Sequence, residues 1–170
     1  MKIDPFLNPE LAPTDAQGNN KKGARFGCGR IGNDSKPKMH WGLDLKAIPG
    51  TEFKSLLEGK ISHINNKPNS LGLYLIVRSN VENVSILYAH LQSTQSGLSV
   101  GSNVSQGEIL GKTGKSGAAR NVPHKHLHIE CSTDFFATKS NHVDPEIYIL
   151  TSFGDNPNPI VCPDKDSDIL

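Results

Sequence analysis

The chain carries almost no net charge: 18 Lys and Arg against 17 Asp and Glu leave a formal +1 over 170 residues. Its longest basic run is Lys21-Lys22, so it lacks the electrostatic footprint of a nucleic-acid binder. No apolar run reaches membrane-spanning length, and no membrane span is expected. Residues Met1 to Leu7 lack the apolar h-region of a secretory signal peptide. That leaves a cytoplasmic protein, one exported by a signal-independent route, or one whose leader lies outside this chain. Cysteine is scarce. Cys28, Cys131 and Cys162 show no CxxC spacing and leave at least one thiol unpaired. A Cys28–Cys162 disulfide is compatible with that count but not required by it, and Cys131 reads as a small buried hydrophobe. The sequence shows no internal repeat and no low-complexity tract.

What the chain does have is punctuation. Its 16 glycines and 11 prolines separate short apolar runs rich in Ile, Val, Leu and Tyr, a pattern of many short strands and tight turns. The expected fold is mainly β, in one domain large enough to bury a real core. Residues 1–24 read as an irregular lead-in that wraps the domain, 25–150 as the domain proper, and 151–170 as a loose tail rich in Pro, Asp and Asn. Gly50–Phe53 and Gly59–Ile64 are expected as short strands around a turn. Leu71–Arg78 and Val84–Leu91 are expected as a hairpin, with Tyr88 and His90 on one face of its second strand.

The chemistry concentrates in two stretches. In Pro123-His-Lys-His-Leu-His-Ile-Glu130, alternation along a strand places His124, His126, His128 and Glu130 on one face, and Leu127, Ile129 and Cys131 on the other. In Met39-His-Trp-Gly-Leu-Asp-Leu45, Gly42 and the following Pro49-Gly50 argue against a helix. As a strand it puts His40, Gly42 and Asp44 on one face, with Trp41, Leu43 and Leu45 in the core. Neutral imidazole is the commonest protein metal ligand, and a catalytic zinc takes three N or O ligands and one open position. His40, Asp44 and one histidine of the 124–128 strand supply that set. A structural zinc module is the weaker reading, because such sites fill four positions and favour Cys. His63 and His142 lack visible partners and read as surface or structural residues. Gly111-Lys-Thr-Gly-Lys-Ser116 is rejected as a phosphate-binding loop, because no glycine stands at position 109.

His40-Trp-Gly-Leu-Asp44, Tyr88-Ala-His90-Leu and His126-Leu-His128-Ile-Glu130 resemble, in order and spacing, the three signature blocks of the lysostaphin/LytM-type zinc endopeptidases. The glycine-rich run 100–114 and Val143-Asp-Pro-Glu-Ile-Tyr148 resemble the segments around that family's last block. The resemblance covers residues 25–150. It implies a compact antiparallel β-sheet domain with a zinc-bearing groove. It makes His40, Asp44 and His128 the ligands of one zinc ion, and His90 and His126 the catalytic histidines beside it. Arg30 and Tyr88 are expected to bind the substrate carboxylate or the oxyanion. The family usually has Gly-Pro directly before the first His of the last block, whereas here Pro123 is followed by His124-Lys125. Taking His124/His126 as the working pair would turn Lys125 to the apolar face, which is costly for a charge. The His126/His128 register is therefore chosen, with His124 on the substrate-facing rim.

The implied activity is hydrolysis of the peptide stems or cross-links of bacterial peptidoglycan, in the periplasm or cell wall, as a DD-endopeptidase or a cross-bridge endopeptidase. The absence of a visible leader points to an antibacterial toxin with an immunity protein as its inhibitor; housekeeping wall remodelling is the other role. A non-catalytic family member that activates a separate wall hydrolase is the rival function. Such proteins typically lack a ligand, and here all three ligands and both helper histidines are present. Asn33, in the loop before His40, is a candidate for an autoinhibitory contact with the metal.

Overall fold

The short β-branched runs fold into eleven strands joined by tight turns, in a computed structural model that describes residues 1–32, 35–134, 136, 139–160 and 162. No α-helix occurs among the described residues, only four 3₁₀ turns. Asn33 falls outside the described residues, and with it the autoinhibitory contact.

β1 (Gly27–Ile31) and β2 (Pro37–His40) form a hairpin of their own. The other nine strands make one antiparallel sheet. These are β3 (Gly42–Lys46), β4 (Glu52–Lys54), β5 (Gly59–Lys67), β6 (Gly72–Ser79), β7 (Val84–Thr94), β8 (Asn103–Val104), β9 (Ile109–Thr113), β10 (His126–Ser132) and β11 (His142–Val143). The expected hairpin of residues 71–78 and 84–91 is β6–β7. At the centre of the site-bearing region β10 lies between β3 and β7. The register sets His128 opposite Asp44 on one side and opposite Ala89 on the other. Directly opposed residues share a face. Leu127, Ile129 and Cys131 therefore enter the main core together with Leu43, Leu45, Ile86 and Tyr88. Burial of these side chains is worth about 1.5–3 kcal/mol each and fixes the register, since a one-residue slip would turn the imidazoles inward.

Alternation breaks at His90. Its φ of 63° is left-handed, and the β7 register shifts there against β6, between Tyr88 and Leu91, and just beyond it against β9, between Leu91 and Ser93. The bulge lets Tyr88 and Leu91 both enter the core while His90 points to the opposite face, alongside Ala89. The expected shared face of Tyr88 and His90 is thereby corrected. Tyr88 is fully buried against Phe53, and its hydroxyl accepts from the Leu56 N–H, so it reaches no substrate. Trp41 also departs from expectation. It sits between β2 and β3, half-buried, with its ring against Phe26 and His142.

The lead-in runs along the sheet. Glu10 and Ala12 hydrogen-bond the backbone of Lys46 and Asp44, covering the edge of β3 that β10 leaves open. Residue Ile3 bridges Ile149. The stretch 151–160, expected to be loose, is tied down. Arg25, 4% exposed, donates to both oxygens of Glu146 (2.7 and 2.6 Å) and to the carbonyls of Phe153, Gly154 and Asp155. Asn158 donates to the Lys22 carbonyl, and Cys162 forms a disulfide with Cys28. Cys131 is buried and free, as its place on the apolar face implied.

Candidate metal centre

Three strands each bring one part of the centre. His40 closes β2, Asp44 sits in β3, and His126 and His128 alternate along β10. All four are buried. The Asp44 Oδ1 atom lies 2.7 Å from His128 Nδ1 and 3.4 Å from His40 Nε2, and the two nitrogens are 3.4 Å apart. Two donors bound to one ion at about 2.1 Å can be no more than about 4.2 Å apart. The three atoms meet that limit, and their N, N, O chemistry is that of a three-ligand zinc site. Gly42 has its reason here: a Cβ on it would meet His128 Cε1 at 2.7 Å and the Ile129 carbonyl at 2.4 Å. The missing side chain makes room for the ring of His128.

The orientation of each ring follows from its other nitrogen. Nδ1 of His40 faces the Arg25 carbonyl at 3.2 Å, Nδ1 of His90 faces the Ser116 carbonyl at 3.0 Å, and Nδ1 of His126 faces the His124 carbonyl at 3.0 Å. A carbonyl only accepts, so each Nδ1 carries the hydrogen and each Nε2 is left as a lone pair. The Nε2 of His40 points into the ligand set; that of His126 lies 3.7 Å from Asp44 Oδ1. The rings of His90 and His126 meet edge to face at 5.0 Å. Holding His90 left-handed costs strain of the kind found at functional sites.

Electrostatics divide these groups. Burial would raise the Asp44 pKa, but His40, His126, Arg30 and a hydrogen bond from His128 outweigh it and hold the carboxyl well below its ordinary value. Burial would lower His128; hydrogen bonds to Asp44 and Glu130 outweigh it, and its pKa stands at about 9. Burial, then the charges of His128 and His126, push His90 down to about 4. His90 is therefore a neutral acceptor at physiological pH. The raised His128 value stabilises the metal-free fold below its unfolded pKa near 6.5, and that contribution is lost as pH rises through about 9. Ligation needs His128 Nδ1 without its proton. Zinc uptake at pH 7 is therefore expected to release about one proton. Calorimetric titration in buffers of different ionisation enthalpy checks it, and an uptake with no buffer dependence would contradict it.

The remaining expected residues are placed as follows. Arg30 donates to Asp44 Oδ2, to the Gly23 carbonyl at 2.7 Å, and towards His40 Nε2 at 2.9 Å, so in this structure it is a partner of the ligands. His124 lies on the rim, its Nε2 3.1 Å from the Asp15 carbonyl of the lead-in. Since β10 begins at His126, His124 precedes the strand instead of sharing its face. His63 is exposed on β5. His142 does have a partner, contrary to expectation: its Nε2 is 3.0 Å from Glu130 Oε2. Lys38, Arg25 and Glu130 took no part in the expected site. Only Glu130 left a signal, through its phase with His126 and His128.

The groove over the centre encloses about 720 Å³. The lead-in (Ala12, Pro13, Thr14, Asn20) contributes to its wall, as do Ser70-Leu71 and Ala118-Ala119. Residues 38–145, from β2 to the last 3₁₀ turn, match the pattern of peptidase family M23. The chain belongs to peptidase family M23. Its M23 fold is similar to the catalytic domain of the antimicrobial peptidase lysostaphin from Staphylococcus simulans, at 29% identity and a TM-score of 0.62, over 79% of this chain and 97% of that one. It is also similar in fold to the catalytic domain of the prophage-encoded M23 protein EnpA from Enterococcus faecalis (21% identity, TM-score 0.61, 90% and 98% covered). Among curated proteins it is 30% identical over 108 residues to the cell division protein DipM of Caulobacter vibrioides, covering 64% of this chain and 17% of DipM. The chain thus spans only a small part of that relative's length.

Proposed function

We propose that this M23 chain is a zinc-dependent endopeptidase that hydrolyses peptide links of bacterial peptidoglycan. The observation that carries the proposal is the convergence of His40, Asp44 and His128 on one point, with the Nε2 lone pairs of His90 and His126 left unanchored beside it. Family membership supports the class of reaction. Zinc held by His40 Nε2, Asp44 Oδ1 and His128 Nδ1 supplies Lewis acidity at the scissile carbonyl and a water acidic enough to attack near neutral pH. His90, neutral and fixed by Ser116, accepts a hydrogen bond from the nucleophile and orients it. His126 takes the proton that the attacking water gives up at its Nε2, stabilises the developing oxyanion in that form and passes the same proton to the leaving amine.

The charges of the groove favour substrates with carboxylates. Among the described residues its only lining acid is Asp44. Arg30 and Lys38, both lining it, stand directly opposite each other across β1–β2. Arg30 is already paired with Asp44, so Lys38, exposed at the groove's edge, is the cation that a substrate carboxylate would meet. A direct stem cross-link such as D-Ala–diaminopimelate brings that anion; a glycine bridge does not. The Cys28–Cys162 disulfide fits an oxidising compartment, in agreement with action in the periplasm or wall. Among the described residues no helix is long and apolar enough to cross a membrane. The similarity to an antimicrobial peptidase also supports a toxin role, in which a producing cell needs an immunity protein that blocks the groove.

The test is digestion of purified peptidoglycans, one directly cross-linked and one glycine-bridged, by the zinc-loaded protein, with products read by mass spectrometry. Chelator-sensitive loss of cross-links is expected, faster on the directly linked wall. No cleavage of either wall by a folded, zinc-bound protein would favour the non-catalytic activator instead.

A further inference from the structure

Three imidazoles of the centre are anchored alike, each through Nδ1 to a backbone carbonyl. His128 is inverted. It faces the ligand set through Nδ1, and its Nε2 meets a side chain, Glu130 Oε1, at 2.8 Å. A backbone carbonyl is fixed by the main chain, whereas a glutamate side chain can swing. Here it cannot, because His142 on the neighbouring strand β11 holds its second oxygen at 3.0 Å.

We propose that Glu130 and His142 are positioning residues which commit His128 to ligating metal through Nδ1. The inference rests on the zinc reading above. Glu130 accepts the Nε2 hydrogen of His128, which leaves the lone pair of Nδ1 for the ion. Turning the ring over would break that bond and aim a carbon at Asp44 and His40. His142 touches neither the ligand set nor the groove. Its ring packs against Trp41 at 5.4 Å and Phe136 at 5.3 Å, in a slot that a phenylalanine would fill. Yet its Nδ1 is buried with no hydrogen-bond partner among the described residues. An orphaned buried nitrogen costs stability, so packing alone does not account for a histidine here; the bond from Nε2 to Glu130 does. Outer partners of this kind typically change metal affinity 10- to 100-fold when removed.

The variants that decide the matter are His142→Phe, which keeps the aromatic packing without the donor, and His142→Gln, whose amide can donate to Glu130. Zinc affinity is measured by chelator competition, and the ligating nitrogen by ¹⁵N-resolved NMR of the zinc-loaded protein. The zinc Kd of His142→Phe is expected to rise about 10- to 100-fold, and His142→Gln should recover most of the loss. The wild type should show His128 metallated at Nδ1 with a slowly exchanging Nε2–H. A His142→Phe protein that binds zinc within about twofold of wild type, or His128 ligating through Nε2, overturns the inference and leaves the metal centre intact. A wild type that takes up no zinc overturns both.

Discussion

Replacing His126 or His90 by Ala is expected to lower turnover by about 10²–10⁴-fold while one zinc stays bound per chain. Neither ring belongs to the N, N, O set, and each is held to the backbone by its own carbonyl. Losing an acid–base group typically costs 10²–10⁴-fold, and losing an oxyanion donor about 10²–10³-fold. His40→Ala and His128→Ala should lose the metal as well. Metal content by mass spectrometry, read beside peptidoglycan turnover, separates the two groups. His124→Ala should keep turnover within a few-fold, because His124 faces the lead-in. If His126→Ala kept full activity, the pairing of His126 with His128 would be the wrong register. His90→Gly adds a second readout. A glycine tolerates φ of 63° freely, which offsets part of the packing lost with the buried ring, so the fold should persist while turnover is lost.

The second large effect is on stability. Glu146→Gln is expected to destabilise the fold by about 3–5 kcal/mol, because it leaves the Arg25 guanidinium buried opposite a neutral amide. For a chain of this size that lowers the thermal midpoint by roughly 6 to 20 °C. Denaturant unfolding at neutral pH checks it. A loss below about 1 kcal/mol would mean that solvent screens the pair as it does at a surface. The same substitution reaches the metal centre, since the Arg25 carbonyl orients His40. Zinc affinity should fall along with stability.

The period of two in β3 and β10 was enough to read from the sequence which faces carry His126, His128, Asp44 and Gly42, because a strand buried on one face repeats that way. It failed at His90, where a single left-handed residue resets the phase and carries Tyr88 away from the groove. Nothing local announces such a bulge at a non-glycine. The Arg25–Glu146 pair spans 121 residues and the disulfide 134, and no short-range pattern encodes which partners meet. His142 looked solitary for the same reason: its partner lies on the adjacent strand, twelve residues back. The tail looked loose by composition, yet its backbone carbonyls are what satisfy a buried guanidinium.

The split use of Asp44 bears on which ions the centre admits. One oxygen turns to the histidines and the other to Arg30, so the carboxylate offers a single donor. Calcium needs six to eight oxygens, often from bidentate carboxylates, and magnesium an octahedron of hard ligands. Two imidazoles and one oxygen give neither. They suit a small borderline-soft ion content with four neighbours, and the guanidinium occupies the second oxygen that a bidentate carboxylate would offer an alkaline-earth ion.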